Sequence, residues 1–234
     1  MPIVSISSEC FGCSARNQEF CCNLSDEVLQ RLSEIKLAAD YPKGAMLFVE
    51  GQHPNGVFVL CSGRAKLFTS SREGKTIITR IAGPGALLGW NSVFSKRPYG
   101  VSAEMMTTGR ASFIPRNSLL PFLQESGEAA LRIAEQLSHN YYIAHEDIRN
   151  LAFGAPDGRL AKLLLSWSTK AAENTDSIFI EIQLTQMEMA ERIGLARETV
   201  SRLFIDFMQR GLLQKIGSRL FLCNGPAMER LAQF

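Results

Sequence analysis

The chain has 234 residues, of which 46% are hydrophobic, and a formal net charge of +2 at pH 7. This composition excludes an intrinsically disordered chain, and the length suits one or two domains with adequate cores. The small net charge excludes a uniformly basic protein, so any surface that binds nucleic acid has to be local. No apolar run reaches the ~18 residues of a membrane span, and residues 1–13 lack the features of a signal peptide. We therefore expect a cytoplasmic protein.

Residues 1–23 form an arm in which cysteines are concentrated. These cysteines are Cys10, Cys13, Cys21 and Cys22. Because cytoplasmic thiols stay reduced, such a group favours a metal, an iron–sulfur cluster or redox sensing over structural disulfides. Thiolates on a loop that contains Gly12 can surround a zinc ion or one face of a cluster, and a vicinal Cys pair also suits thiol redox chemistry. The alternative is a packed arm whose small Cys side chains are simply buried.

Residues 24–117 are predicted to form a helix followed by a β-rich domain. The segment Leu24–Leu37 is amphipathic, with Ser25 as its N-cap. From Tyr41 onwards, short β-rich runs alternate with turn residues, which is typical of an antiparallel barrel or roll. The predicted strands are Ala45–Val49, Gly56–Leu60, Ala65–Ser70, Lys75–Ile81 and Ala111–Ile114. An equally open alternative is a β-domain that binds no ligand.

A long helix is predicted from Gly127 to Leu151, within a unit that spans residues 118–153. Its apolar residues recur at alternating spacings of four and three, which is typical of a coiled-coil seam. The seam contains Ala130, Ala134, Leu137, Tyr141, Ala144, Ile148 and Leu151. The pattern favours a helix that pairs with a second copy of the chain. The alternative is a helix that packs against its own barrel.

Residues 154–234 are predicted to form a winged helix-turn-helix domain. The segment Phe153–Gly158 contains two glycines and a proline, so we expect it to end the long helix and act as a hinge. The further predicted elements are a helix at Arg159–Thr169, a loop at Ala171–Ser177, a strand at Ile178–Gln183, a hairpin or wing at Leu212–Ile216 and Arg219–Cys223, and a closing helix at Gly225–Phe234. We expect Cys223 to be a structural residue.

The stretch Leu184–Gly211 predicts two helices joined by a tight turn. Thr185 and Glu188 form a T-x-x-E capping box at the start of the first helix. Gly194 is expected to end that helix with a positive φ angle. Helical spacing assigns Met187, Ala190 and Ile193 to the buried face of the first helix, and Val200, Leu203, Phe204 and Phe207 to that of the second.

The second helix begins near Arg197 and has an outer face that suits contact with DNA bases. This face carries Arg197, Glu198, Ser201 and Arg202. Arginine can pair with guanine through two hydrogen bonds, a carboxylate accepts from cytosine, and a hydroxyl can serve either role. We expect phosphate contacts from Thr185, Gln186, Lys215 and Arg219. The alternative is a charged helix face that is merely solvated.

The run Arg197–Arg202, which follows Ile-Gly-Leu-Ala, resembles the recognition helix of the CRP/FNR family of bacterial transcription regulators. Members of that family commonly read bases with Arg-Glu-x-x-x-Arg or Glu-x-x-Ser-Arg, and this chain contains both patterns. The order of sensor barrel, long helix and DNA-binding domain is also similar. One departure is Ala196, where the family usually has a capping Ser or Thr, and the loss of such a cap costs about 1 kcal/mol.

The resemblance implies an α+β protein with a cyclic-nucleotide-binding-like β-roll (jelly roll), a long dimerisation helix and a winged helix-turn-helix. The expected domains are an arm at 1–23, a sensor at 24–117, a dimerisation region at 118–153 and a DNA-binding domain at 154–234. It further implies a homodimer that binds palindromic double-stranded DNA with TTGAT- or TGTGA-like half-sites, contacts RNA polymerase as activators do, and responds to a redox, oxygen or small-molecule signal.

FNR-type members hold an oxygen-labile [4Fe–4S] cluster through an N-terminal cysteine group and a fourth cysteine in the barrel. This sequence is similar at Cys10, Cys13 and either Cys21 or Cys22, but Ser112 stands at the position of the fourth cysteine. The resemblance therefore implies a cluster whose fourth ligand is Cys22, Cys61 or a carboxylate, with a zinc site or a thiol switch as alternatives.

Binding of cAMP is not expected. In cAMP-responsive members an acidic residue after glycine accepts from the ribose, and an arginine neutralises the cyclic phosphate. Here Trp90 replaces the acid and Gly100 or Val101 stands at the arginine position, while Pro98 makes Arg97 a poor substitute. A nucleotide phosphate buried without a cation would be costly. We expect Trp90 to be a core or interface aromatic residue.

Two other classes of protein are alternatives to a transcription regulator. An enzyme is not expected, because the sequence has no Ser/His/Asp set, P-loop or GxGxxG motif, and His53, His139 and His145 are scattered. The other class is a nucleotide-binding sensor or adaptor that does not bind DNA, and the complete recognition helix argues against it.

Overall fold

The computed structural model describes residues 23–170, 178–180, 184–217 and 219–233. Contacts divide the chain into two compact units, Met1–Asn140 and Tyr141–Phe234. Cys10, Cys13, Cys21 and Cys22 lie outside the described residues, as do the predicted loop Ala171–Ser177 and residues 181–183. Within the described part of the chain, no helix is both long enough and apolar enough to cross a membrane.

The first unit contains two antiparallel four-stranded sheets. The strands are β1 (Leu37–Tyr41), β2 (Met46–Phe48), β3 (Gly56–Leu60), β4 (Ala65–Ser70), β5 (Thr76–Ala82), β6 (Leu87–Leu88), β7 (Ser102–Met105) and β8 (Gly109–Pro115). One sheet has the order β1-β8-β3-β6 and the other β2-β7-β4-β5. Side chains from both sheets, including Phe48, Leu60 and Met105, share one buried cluster. The predicted antiparallel roll is therefore confirmed, with β1, β6 and β7 as strands that the sequence patterns missed.

The helices of the first unit enclose a second buried cluster. They are α1 (Asp26–Ile35), α2 (Trp90–Ser95), α3 (Arg116–Glu125) and the first part of α4 (Gly127–Phe153). Leu29 and Leu32 of α1 pack there with Trp90, Phe122 and Ile133. Trp90 is thus a core residue, as predicted, and α1 is fixed to the first turns of α4 by apolar burial.

Ser25 differs from its predicted role as a side-chain N-cap. It does occupy the N-cap position of α1, but its side chain makes no capping hydrogen bond. Instead its amide and its hydroxyl donate to the two carboxylate oxygens of Glu128, at 2.7 and 2.6 Å. The side-chain bond and then the backbone bond from Ser25 lower the pKa of Glu128. Ser25 therefore ties the start of α1 to the first turn of α4.

The second unit is a winged helix-turn-helix. Its elements after α4 are α5 (Pro156–Leu165), β9 (Ser168–Lys170), β10 (Ile178–Ile180), α6 (Gln186–Ile193), α7 (Arg197–Gln209), β11 (Leu213–Ile216), β12 (Arg219–Leu222) and α8 (Gly225–Ala232). The strands form one antiparallel sheet in the order β11-β12-β10-β9. The core contains Leu160, Leu164, Val200, Phe207 and Met228, all fully buried.

The connection between α4 and α5 is shorter than predicted. Helix α4 continues to Phe153, and α5 begins at Pro156 rather than at Arg159. Proline suits the first position of a helix because it lacks the amide proton that would remain unbonded there, and its φ angle is already helical. Only Gly154 and Ala155 separate the two helices. The predicted hinge Phe153–Gly158 is therefore largely helical.

Candidate DNA-binding surface

The turn between α6 and α7 has the local geometry that the sequence predicted. The Thr185 hydroxyl accepts from the Glu188 amide at 3.2 Å, and the Glu188 carboxylate accepts from the Thr185 amide at 2.9 Å. Gly194 follows α6 with φ of +63°, the left-handed conformation that glycine adopts at least cost. The capping box and the terminating glycine are both confirmed. They fix where α6 begins and ends, and hence where α7 starts.

Of the three residues predicted for the buried face of α6, Ala190 and Ile193 are buried as predicted, and the assignment of Met187 is wrong. Met187 is 52% exposed, whereas Met189 is buried together with Ala190 and Ile193. On α7, Val200, Phe204 and Phe207 are buried as predicted, while Leu203 is only partly buried. On the side of α7 opposite these buried residues, the first two turns of the helix are accessible to solvent.

The four predicted base-reading residues lie on these first two turns. Arg197, Glu198 and Arg202 are exposed, and Ser201 is partly buried. Residues four apart on a helix share a face, so Arg197 lies beside Ser201 and Glu198 beside Arg202. Among the described residues, no carboxylate lies within ion-pair distance of Arg197 or Arg202. Arg202 does make a long side-chain hydrogen bond on this face, 3.4 Å to the Thr199 hydroxyl.

The N-terminus of α7 carries no side-chain cap. Ala196 occupies the N-cap position with extended backbone angles, φ −76° and ψ 147°, and makes no side-chain capping bond. The amides at the start of a helix point outwards and carry partial positive charge. Two exposed arginines and the uncapped helix start therefore give this end of α7 a local positive character that the net charge of +2 does not reveal.

The four predicted phosphate contacts differ in how available they are. The Thr185 hydroxyl is engaged in the capping box, so it would have to exchange partners to reach a phosphate. Gln186 is the first residue of α6 and is partly buried. Lys215 and Arg219 are exposed on the wing, on either side of the turn at Gly217. Gln186, Lys215 and Arg219 take no part in the capping box that engages Thr185.

The predicted seam of α4 is largely open in a single chain. Tyr141 is 69%, Ile148 62% and Leu151 37% exposed, and Ala134 and Ala144 are exposed as well. Leu137 differs, because it packs partly against the core cluster around Trp90. Large apolar side chains exposed in one row are unusual on a single chain and mark an interaction surface.

The interior of the sensor roll contains two stacked aromatic rings. The Tyr99 ring stacks on Phe48 with centroids 4.2 Å apart, and its hydroxyl donates to the Gly56 carbonyl at 2.8 Å. Burial raises the pKa of Tyr99, so this phenol stays neutral at physiological pH. A Cβ at Gly89 would lie 2.8 Å from the Tyr99 ring. Aromatic side chains therefore fill the barrel next to the Gly89-Trp90 pair.

The two cysteines among the described residues have different surroundings. Cys61 is partly buried, and its sulfur lies 3.2 Å from the Ser112 hydroxyl. Cys223, which was expected to be a structural residue, is exposed and directly follows the wing strand β12. The described residues contain no group of three or more His, Cys, Asp and Glu side chains that could hold a metal ion. A metal site with three such ligands would need at least one residue from outside the described part of the chain.

Both parts of this architecture match known protein families. Residues 39–126 match the model of the cyclic nucleotide-binding domain, and residues 158–231 that of the Crp-like helix-turn-helix domain. The chain is 26% identical over 195 residues to the CRP-like cAMP-activated global transcriptional regulator of Mycobacterium tuberculosis, covering 83% of this chain and 87% of the relative. It is 26% identical over 227 residues to the transcriptional activator protein anr of Pseudomonas aeruginosa, covering 96% and 93%.

A solved structure of a CooA mutant from Carboxydothermus hydrogenoformans has the same fold, with a TM-score of 0.76 at 20% identity, covering 93% of this chain and 97% of that one. These matches, together with the roll, the long helix and the winged helix-turn-helix, define a DNA-binding transcription regulator. The chain belongs to the CRP/FNR family.

Proposed function

We propose that the protein is a homodimer that regulates transcription by binding palindromic DNA, with α7 of each subunit in a major groove. The observation that carries this proposal is the exposed face of α7, where Arg197, Glu198 and Arg202 face solvent. Neither arginine has a carboxylate partner among the described residues. Arginine and glutamate are side chains that recognise guanine and cytosine edges. Ser201 completes the face. The proposed phosphate contacts come from Gln186, Lys215 and Arg219. Thr185 also contacts a phosphate, after its hydroxyl gives up its hydrogen bonds to Glu188.

The α4 seam is the proposed dimer interface. Its exposed apolar side chains recur at coiled-coil spacing, and burying them against a second copy would remove them from water. A two-fold dimer would place two recognition helices about one helical turn of DNA apart. The proposed domains are an arm at 1–23, a sensor at 24–117, a dimerisation region at 118–153 and a DNA-binding domain at 154–234. RNA polymerase is the proposed further partner, the cytoplasm the proposed location, and no catalytic role is assigned.

We propose that the signal is not cAMP. Trp90 is buried in the core where cAMP-responsive members have an acid, and Tyr99 fills the neighbouring space. Gly100 and Val101 also stand at the position where cAMP-responsive members have the arginine that neutralises the cyclic phosphate. A bound anion without a cation would pay a large desolvation cost.

The proposed sensor is instead the cysteine arm, with Cys61 as a ligand from the barrel. The side chain of Cys61 touches Ser112, which stands where FNR-type members have their fourth cysteine. Three thiolates among Cys10, Cys13, Cys21 and Cys22, joined by Cys61, form a donor set suited to a [4Fe–4S] cluster. Such a cluster would supply oxygen-sensitive redox chemistry. Ser25, three residues after the arm's last cysteine, is bonded to Glu128 at the start of α4, which offers a route from the arm to the dimer helix.

We expect the protein to bind a duplex with two inverted TTGAT or TGTGA half-sites far more tightly than a scrambled duplex of equal length. Fluorescence anisotropy over a range of salt concentrations measures both affinities, and the affinity should fall steeply with salt because phosphate contacts release counterions. Sedimentation equilibrium of the same preparation reports the oligomeric state. Equal affinity for both duplexes, or a monomer bound to one palindrome, would contradict the proposed function.

For the sensor, we expect anaerobically purified protein to be brown, to contain iron and sulfide, and to bleach in air. Replacing Cys61 by Ser is expected to remove most of the iron and the visible absorption, because a hydroxyl is a poor ligand for iron in such a cluster. Cys223→Ser is the matched control, since Cys223 is exposed on the wing. Wild-type protein without iron would exclude the cluster and leave a zinc site or a thiol switch. Full iron content in the Cys61→Ser variant would show that Cys61 is not a ligand, and the cluster itself would still stand.

A further inference from the structure

Polar contacts join the helix-turn-helix to the C-terminal half of α4 within the second unit. The guanidinium of Arg192, in the last turn of α6, lies 2.7 Å from the Asp147 carboxylate of α4. The two side chains are 19% and 29% exposed, so the ion pair is screened less by water than a surface pair is. This contact spans 45 residues of sequence. It connects the helix that precedes the recognition turn with the proposed dimer helix.

Arg159, in the first turn of α5, makes a second connection. Its Nε donates to the Gly154 carbonyl at 3.1 Å, and its Nη1 donates to the Ile193 carbonyl at 3.0 Å. Gly154 directly follows α4, and Ile193 is the last residue of α6, so both acceptors are carbonyls at helix C-termini. A cation is favourable there because these carbonyls lack helical partners and carry partial negative charge. One guanidinium thus holds two helix ends together.

The turn before α7 also packs against α4. A Cβ at Gly194 would lie 3.2 Å from the Leu151 side chain and 3.7 Å from the Arg159 guanidinium. Glu146, one residue before Asp147, accepts from Lys162 of α5 at 3.2 Å, and this hydrogen bond lowers the pKa of Glu146. Contacts of α4 with α5, α6 and the turn therefore surround the two-residue connection at Gly154 and Ala155.

We propose that Asp147, Arg159 and Arg192, which we call the bracket, are positioning residues for DNA recognition. The bracket makes the recognition helix rotate together with the C-terminal half of α4 rather than about the connection Gly154–Ala155. In the dimer, the spacing and the angle between the two α7 helices are then set by the pairing of the α4 helices. The bracket therefore determines which half-site spacing the protein accepts. This inference rests on the proposed function, since it requires a dimer that reads a palindrome.

The test compares palindromes whose half-sites are moved by one base pair in either direction. One base pair shifts a half-site by about 3.4 Å and rotates it by about 35° around the DNA axis, given about 10.5 base pairs per turn. We expect wild type to prefer its best spacing by about tenfold or more over either neighbour. That preference is expected to fall to less than about threefold in each of the variants Asp147→Asn, Arg159→Gln and Arg192→Gln. Once the effect of the changed charge is subtracted, their affinity for a single half-site is expected to stay within about twofold of wild type.

The charge of the variants separates positioning from simple electrostatics. Asp147→Asn removes a negative charge and strengthens binding to any DNA, while Arg192→Gln removes a positive charge and weakens it. Positioning predicts that both nevertheless lose spacing preference in the same direction. The reversed pair Asp147→Arg with Arg192→Asp is expected to recover part of the preference. Arg210→Gln is the matched control, because Arg210, at the C-cap of α7, forms its ion pair with Asp206 of that same helix.

The possible results distinguish this inference from the function on which it rests. A wild type that binds no palindrome, or shows no spacing preference, overturns the proposed function. A wild type with a clear preference that all bracket variants retain overturns the bracket alone. Loss of affinity for the single half-site by the same factor as for the palindrome also overturns it, since that result indicates local unfolding of the recognition helix. Circular dichroism at the assay temperature verifies that each variant is folded.

Discussion

Replacing Ala144 by Asp is expected to convert the dimer into a folded monomer. Ala144 lies at a seam position of α4 and is exposed in the single chain, so the substitution leaves the core of the subunit intact. In a two-fold coiled coil, the same position of each helix faces its mate. Two carboxylates would then be brought together without a cation. An uncompensated buried charge costs about 3–5 kcal/mol, which corresponds to roughly a thousandfold increase in the dimer dissociation constant.

Sedimentation equilibrium measures this change, and His139→Asp is the matched control. His139 lies on the same helix and is exposed, but it falls outside the seam, opposite the pairing face. The control is expected to remain a dimer although it gains the same charge. The Ala144→Asp variant should also no longer bind the palindrome more tightly than a single half-site, while the affinity of one subunit for a single half-site stays unchanged. A dimer as stable as wild type would show that α4 pairs through another face or does not pair at all.

Features with a strictly local cause could be predicted from the sequence. The capping box involves Thr185 and Glu188, which are three residues apart, and Gly194 adopts its positive φ because only glycine does so cheaply. Strands β3 and β4 were predicted to the residue, since each is a run of β-forming residues bounded by turn residues. The alternating seam of α4 likewise needed only the spacing of its apolar residues.

Elements that depend on partners distant in sequence were missed. Strand β6 has only two residues, too few to show an alternating pattern, and β1 follows α1 after the single residue Lys36, so no turn signal separates β1 from that helix. They are strands because β3 and β8 offer them hydrogen bonds. Ser25 bonds to a carboxylate 103 residues away instead of capping its own helix. The start of α5 at Pro156 did have a local signal, proline at a first helical position, which the hinge interpretation overlooked.

The same distinction applies to the DNA-binding surface. Four residues of α7 could be assigned to its outer face because residues three and four apart share a side of a helix. The orientation of that helix depends on Asp147, Arg159 and Arg192, and no periodicity or motif connects those positions. Tertiary packing brings them together. The proposed base-reading residues are thus visible in the sequence, whereas the residues proposed to orient their helix are brought together only by the fold.

Replacing Arg202 by Ala is expected to weaken binding to the palindrome and to relax specificity at one base pair of each half-site. Arg202 is exposed on the second turn of α7, and its hydrogen bond to Thr199 is long, 3.4 Å, so its guanidinium can turn towards a guanine edge at little cost. A bidentate contact with guanine is worth about 1–3 kcal/mol, which is about 5- to 150-fold in affinity for each half-site. Because the dimer carries two copies, the loss on the palindrome is expected to exceed that on a single half-site.

The matched control is Lys215→Ala, which removes one positive charge from the exposed wing strand β11. As a phosphate contact, Lys215 acts on every sequence alike, so its loss is expected to lower affinity uniformly and to reduce the salt dependence by about one counterion. Binding of both variants to duplexes with each single-base change in the half-site separates the two roles. If Arg202→Ala loses affinity equally for the palindrome and for random DNA, Arg202 is a phosphate contact. Specificity would then have to come from Arg197, Glu198 and Ser201 alone.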